Sequence, residues 1–445
     1  MTLLKPNDIL IIGPNAASQT TLFFDDFRAH NVNRAYKKSH SIGGKGQNCA
    51  LACHKFGFTK KVTLLQTVGG ETGQYVGNVL RQKDIHHVNI LDASTGFMTE
   101  LIEPTSLITE AECADFESNA RQLITNGGDI MKMIAICGSC PNGMTSRTLA
   151  TIASLKPPST LLYVDAVKDI ELILETRKVD IIKINTEEFS QIVNQLKLGR
   201  IVVSDRRTDE LNVREFPQLA HELMDHYGIS MVAVTNGPKR AFMFQRGSPV
   251  YHTFKIPDLV AVLQRMYFTN LNLFIEKHVE NCLPPTITLE HRQKMLEWES
   301  ENEVCLERMR KLQRDTRMSS DGHPGRPGGD MVPHPSSQLG SALSPHAKGN
   351  GLNGSARNDS ARQLDDMTSK PPIQLLLNPL GAGDTTNGVF ICEYLQSRDP
   401  LRAFAMGLAA ATASCLVTDF TGYYDVNIMY KVFDGIQVEK HSLHQ

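Results

Sequence analysis

Short apolar runs recur along the first 258 residues: ILIIG (9–13), KVTLLQTVG (61–69), MIAICG (133–138), LLYVDA (161–166), DIIKIN (180–185) and MVAVTNG (231–237). Each has strand length and lacks the in–out alternation of a strand with one wet face, so each predicts a strand buried on both sides. Between them, stretches such as QNCALACHKFG (47–57) place apolar residues three and four apart, the spacing of a helix that turns one face to a core. That order of elements predicts an α/β domain of three layers, a mostly parallel central sheet with helices on both faces. Two stretches differ in texture, LFFDDFRAHNVNRAYKKSHS (22–41) and TGFMTELIEP (95–104). They read as extended and partly polar, and predict a small separate sheet with segments at about 20–42 and 95–107.

After residue 258 the alternation breaks. Residues 259–278 and 289–317 carry helical patterns, and 318–370 are rich in Ser, Gly, Pro, Asn and Asp with almost no aromatics. A segment of that composition buries too little apolar surface to offset chain entropy and predicts disorder. The alternation resumes at residue 373. The expected organisation is one domain from 1–258 and 371–445, interrupted by a helical insertion (259–317) and a disordered segment (318–370), since loops tolerate added length cheaply.

The 445-residue chain has a formal net charge of -2, so no basic field draws it to nucleic acid or to an anionic membrane surface. Its nine cysteines are too few and too irregular for a disulfide framework, and the C-x-x-C at Cys137 and Cys140 has no second Cys or His pair at zinc spacing. No run approaches the ~20 apolar residues of a membrane helix. The first residues read as a strand rather than a signal peptide. A cytoplasmic location is expected.

Two glycine-rich stretches carry the chemistry. In LLLNPLGAGDTTNGVF (375–390), an apolar run expected to be a strand at 373–377 stops at Gly381-Ala382-Gly383-Asp384, and a helix is expected over 385–396. Glycines there let backbone N–H groups converge on one point, and the helix N-terminus adds positive potential, which suits a phosphate. Asp384 can be an N-cap, or a general base taking a hydroxyl proton beside that anion site. The second stretch, SIGGKGQN (41–48), is again glycine-rich and opens a helix, without the spacing of a Walker loop.

Together these two stretches resemble the motif regions of the ribokinase-like (PfkB) carbohydrate kinases. Asn378-Pro379 and VNRA (32–35) resemble the branch of 1-phosphofructokinase and tagatose-6-phosphate kinase. TELIEP (99–104), GSCPNG (138–143), KINTEE (183–188) and TNG (235–237) follow in family order. The resemblance implies an ATP-dependent kinase that phosphorylates a hydroxyl of a phosphorylated ketohexose, with Mg²⁺, a β-sheet lid over the sugar and pairing of two copies through the lids. It implies Asp384 as catalytic base, with the backbone of Gly381, Ala382 and Gly383 stabilising the transferred phosphoryl group. Gly43, Gly44, Lys45, Asn48 and Gln19 would meet the sugar, and Arg34 its phosphate. Lys183, Asn185, Thr235 and Gly237 would border the nucleotide, and Glu188 with Asn185 would position Mg²⁺, largely through water. Read without the resemblance, Arg34 and Lys183 are ordinary surface cations, and Asn185 and Glu188 a loop amide and a solvated acid.

The chain departs from the family pattern in three places. Gln19 stands where the branch has a sugar-binding Asp; the strand before TELIEP lacks an arginine and about a dozen residues; and the insertion precedes the GAGD stretch. The missing arginine and Gln19 favour, as an alternative, a kinase of an unphosphorylated sugar or nucleoside; a further alternative is a non-catalytic sugar- or nucleotide-binding protein that keeps the fold and uses its insertion for partners.

Overall fold

A computed structural model describes residues 8–24, 32–35, 37–92, 96–98, 107–166, 168–196, 216–238, 240–267, 377–417 and 420–443. All lie in one compact unit, Met1–Thr286 with Leu375–Gln445. The expected disordered segment, most of the helical insertion, TELIEP and residues 373–376 fall outside the described residues.

The central sheet runs β13-β12-β11-β10-β9-β8-β7-β1-β4-β5. Its parallel part comprises β10 (Met231–Thr235), β9 (Ile181–Asn185), β8 (Leu161–Asp165), β7 (Met133–Cys137), β1 (Ile9–Asn15), β4 (Val62–Gly69) and β5 (His86–Asp92). These include all six apolar runs of the sequence. The strands β11 (Arg240–Gln245), β12 (Val250–Lys255) and β13 (Gln437–Ser442) extend one edge in antiparallel fashion. Along β1 the side chains alternate between two cores: Leu10 and Ile12 join one, Ile9 and Ile11 the other. Both faces of the sheet are therefore covered, which is why strands such as β1 and β7 are so largely apolar.

On one face lie α1 (Lys45–Lys55), α2 (Gly70–Gln82), α9 (Ala382–Ser397) and α10 (Pro400–Ser414), with α11 (Val426–Gly435) behind them. The other face carries α3 (Glu110–Gly127), α4 (Ser146–Ser154), the single turn α5 (Glu171–Leu174), α6 (Thr186–Gln195) and α7 (Phe216–Tyr227). The helix α8 (Leu259–Tyr267) buries Leu259, Val262 and Leu263 and packs with α11. A second, three-stranded sheet joins β2 (Ala17–Phe23) antiparallel to β3 (Lys37–Gly43) and parallel to β6 (Gly96–Met98). This is the small separate sheet expected from the sequence, with its first strand beginning earlier, at Ala17. The expected strand before GAGD is not seen at Leu377, which is irregular, and its helix starts three residues earlier than the sequence pattern indicated.

Two close approaches fix α1. A Cβ on Gly46 would lie 2.4 Å from the Gly13 Cα, so α1 begins against the end of β1. A Cβ on Gly388 would lie 2.6 Å from the Cys49 carbonyl oxygen and 2.7 Å from the Ala52 Cβ, so α1 and α9 cross almost backbone to backbone. Since α1 cannot yield without lifting off β1, Gly388→Ala is expected to destabilise the fold by about 1–3 kcal/mol, read as a lower urea midpoint at unchanged slope. An unchanged midpoint would show that this crossing has slack.

Candidate active site

The parallel strands point their carboxyl ends toward the glycine-rich stretches, the side of an open α/β sheet where ligands bind. Gly381 caps α9 at a φ of +75°, and a Cβ there would sit 2.9 Å from that of Thr421. No residue with a side chain fits that corner. Within the turn, the Ala382 N–H donates to the Pro379 carbonyl at 3.1 Å and the Thr385 N–H to that of Gly381 at 2.9 Å. The N–H groups of Gly383 and Asp384 lie between them in the first turn, where a helix supplies no acceptor of its own. The positive end of α9 is directed there. The Ala382 N–H is thus already engaged, whereas those of Gly383 and Asp384 have no acceptor within the helix.

Asp384 is the third residue of α9 and makes no cap, which removes the N-cap reading. It is buried, and its Oδ2 accepts from Asn48 Nδ2 at 2.8 Å, while its Oδ1 receives no hydrogen bond among the described residues. Burial and the nearby Asp165 charge push the Asp384 carboxyl up to about 6, against the opposing pull of the Asn48 hydrogen bond, Lys45 and Lys183.

Lys183, on β9, is buried, donates to the Gly383 carbonyl at 3.1 Å and lies 3.6 Å from Asp165 Oδ2. It is not a surface lysine. Lys45, the second residue after the Gly43 that ends β3, donates to Asp165 Oδ1 at 2.9 Å and to Glu188 Oε1 at 3.0 Å. Burial would favour losing the Lys45 proton, but the charges of Asp165, Glu188 and Asp384 outweigh it and hold the ammonium form. Gly44 stands at a φ of +103°, where a Cβ would meet the Gln47 Oε1 at 2.2 Å and the Asn15 carbonyl at 2.5 Å.

The N-x-x-E stretch is a capping box: Asn185 Oδ1 accepts from the Glu188 N–H at 2.8 Å and Glu188 Oε2 from the Asn185 N–H at 2.9 Å. Neither residue is simply a loop amide or a free solvated acid. Thr235 Oγ1 donates to the Ile184 carbonyl at 3.4 Å, and at Gly237 a Cβ would meet nothing within 4 Å, so space lies open above it. Gln19 is buried in β2, and its Oε1 has no hydrogen-bond partner among the described residues. Arg34 is exposed, and no contact joins it to the network around Asp384 among the described residues.

Sequence reasoning missed Asp165. It is 1% exposed at the end of β8, where Lys45, Lys183 and Asn387 surround it. Burial alone would raise its pKa, but the two lysines and the hydrogen bonds from Lys45 and Asn387 hold it low, so it is ionised. A carboxylate ending a buried apolar strand was the available signal. Tyr163, which donates to Asn387 Oδ1 at 2.7 Å, and Thr421 were also missed. The assembly holds Asp384 beside two ammonium groups and a helix N-terminus, with one oxygen free to take a proton.

Known proteins share this fold. The pfkB family carbohydrate kinase model matches residues 15–260, more than half of the chain. No curated protein sequence gives a significant match. Phosphofructokinase-2 from Escherichia coli in complex with substrates and products is similar in structure, with a TM-score of 0.57 at 13% identity over 96% of this chain and 98% of that one. A Thermotoga maritima protein described as a possible 1-phosphofructokinase gives a TM-score of 0.58 at 14% identity over 98% of this chain and 99% of that one. At such identities the likeness is one of fold.

Proposed function

The chain belongs to the pfkB family of carbohydrate kinases, and we propose that it transfers the γ-phosphoryl group of ATP to a hydroxyl of a phosphorylated ketohexose of the fructose 1-phosphate or tagatose 6-phosphate type. One observation carries this reading: the Asp384 carboxylate is buried, held by Asn48 through one oxygen, and free at the other beside the positive end of α9. The free oxygen takes the proton of the acceptor hydroxyl as that oxygen attacks the γ-phosphorus. Charge moving onto the transferred group is met by the N–H groups of Gly383 and Asp384 and by Lys183. ADP leaves, and the proton stays on Asp384 until solvent removes it.

In this reading Gly43, Gly44, Lys45, Asn48 and Gln19 face the sugar, and Arg34 takes its phosphate when the lid closes. Lys183, Asn185, Thr235 and Gly237 border the nucleotide. Among the described residues no three acidic, His or Cys side chains form a metal cage, and both Glu188 oxygens are engaged. That donor set fits an ion held chiefly by phosphates and water, with Glu188 and Asn185 as outer partners. Mg²⁺ bound there neutralises charge on the nucleotide phosphates. The kinase domain comprises 1–258 and 371–445, with lid segments at about 20–42 and 95–107, and two copies pair through the lids. Among the described residues no helix is long and apolar enough to cross a membrane, and we place the reaction in the cytoplasm.

The uncharged Gln19 favours a second acceptor class, an unphosphorylated sugar or nucleoside. Mg²⁺-dependent ADP release with fructose 1-phosphate, tagatose 6-phosphate, fructose 6-phosphate, fructose and ribose separates the two. Turnover confined to the phosphorylated sugars is expected. Turnover with fructose or ribose alone would transfer the assignment to the second class, and ATP binding without turnover on any acceptor would indicate a binding protein.

A further inference from the structure

We propose that Thr421 is a positioning residue for phosphoryl transfer: its hydroxyl holds the Asn48 amide in the orientation that binds Asp384, and so aims the free oxygen of Asp384 at the acceptor. The inference rests on the reading of Asp384 as the base. It starts from a choice that Asn48 must make. An amide has one donor end and one acceptor end, and an ionised carboxylate only accepts. The Asn48 NH₂ group must therefore face Asp384, as it does at 2.8 Å. That leaves the Asn48 Oδ1 needing a donor, and Thr421 Oγ1 lies 2.6 Å from it. The Thr421 hydroxyl has a second acceptor in reach, the Ile42 carbonyl at 3.1 Å. The shorter contact is the one to Asn48.

Packing holds Thr421 where this works. A Cβ on Gly381 would meet the Thr421 Cβ at 2.9 Å, so Thr421 abuts the cap of the helix that carries Asp384. A Cβ on Gly422 would lie 2.7 Å from the Asn48 carbonyl, so the same segment is pressed on α1. Thr421 is buried and touches both helices whose side chains must meet. The other carboxylate of the site has the same construction: the Tyr163 hydroxyl donates to Asn387 Oδ1, and Asn387 Nδ2 donates to Asp165. In each case a buried hydroxyl fixes an amide, and the amide fixes a carboxylate.

The groups facing Asp384 are Asp165 and Tyr163 from β8, Lys183 from β9, Lys45 and Cys49 from α1, and Cys137 from β7. Substitution at 421 leaves all of them in place. A shift in the Asp384 titration then reports the Asn48 hydrogen bond, which favours the charged form.

The test uses the full chain with carboxyl-¹³C aspartate, the Asp384 signal being assigned by its loss in Asp384→Asn. Thr421→Val keeps the shape and removes the hydroxyl; its Asp384 midpoint is expected to rise by roughly half a pH unit or more. Thr421→Ser keeps the hydroxyl and is expected to restore the native midpoint. With the best acceptor, Thr421→Val should lose about 10–100-fold in kcat, most of it recovered in Thr421→Ser. A folded Thr421→Val with an unmoved midpoint overturns the proposal, as does a midpoint that Thr421→Ser fails to restore. Full turnover by Asp384→Asn would instead remove the base reading, a result distinct from either.

Discussion

Asp384→Asn is expected to lower kcat by about 10²–10⁴-fold, the contribution of a positioned general base, while ATP affinity changes by less than a few-fold. The substitution keeps the shape and an acceptor for Asn48, and removes the negative charge and with it the capacity to take a proton. The pH profile adds an independent sign. The Asp384 carboxyl is pushed up to about 6 by burial and by Asp165, and the base must be ionised to act. Native kcat/KM should therefore be flat above that value and fall tenfold per pH unit below it, whereas the residual activity of the variant should lack that limb. ADP release followed across roughly pH 5–9 measures both. Near-native turnover in the variant, with the limb retained, would mean that another group accepts the proton and that Asp384 is structural.

Lys183→Met comes next in expected size, at about 10²–10³-fold in kcat, the usual cost of one lost donor to a developing oxyanion. Lys183 is buried, is bound to the Gly383 carbonyl, and faces the ionised Asp165. Its loss removes a cation from beside the transferred group and leaves Asp165 countered by Lys45 alone among the lysines here. The same change would further favour the protonated form of Asp384, moving the acid limb upward. A loss seen only in KM for ATP would assign Lys183 to nucleotide binding, and a change below about fivefold would leave it no part in the transfer.

How far the sequence discloses such a site depends on where the information lies. The parallel strands were legible because burial on both faces leaves an unbroken apolar run, as in β1 and β7. The strands β11, β12 and β13 were not, because the antiparallel end of the sheet is partly wet and reads as mixed polarity; all but one residue of the edge strand β13 is exposed. The two glycine stretches were legible because their backbones approach other atoms too closely for a side chain. Asp384, Lys183 and Asn48 could be read from motifs, and the structure brings them together. Asp165, Tyr163, Asn387 and Thr421 act through tertiary contacts, and nothing local marks a threonine as the donor to an amide from the far end of the chain. The capping box is legible in the spacing of Asn185 and Glu188.

The contact between Asn48 and Asp384 spans 336 positions of the chain. At ~5–20 residues per second, tens of seconds of synthesis separate the two residues. Throughout that interval one face of the growing sheet lacks α9 and α10, which bring Phe390 and Phe404 to its core. The nascent protein must therefore carry an uncovered apolar face until α9 and α10 emerge, a hazard that folding helpers exist to manage. Any chain terminated before α9 would be not a weaker kinase but an inactive, aggregation-prone fragment. Asn48 and Asp384 can meet only after α9 has been made.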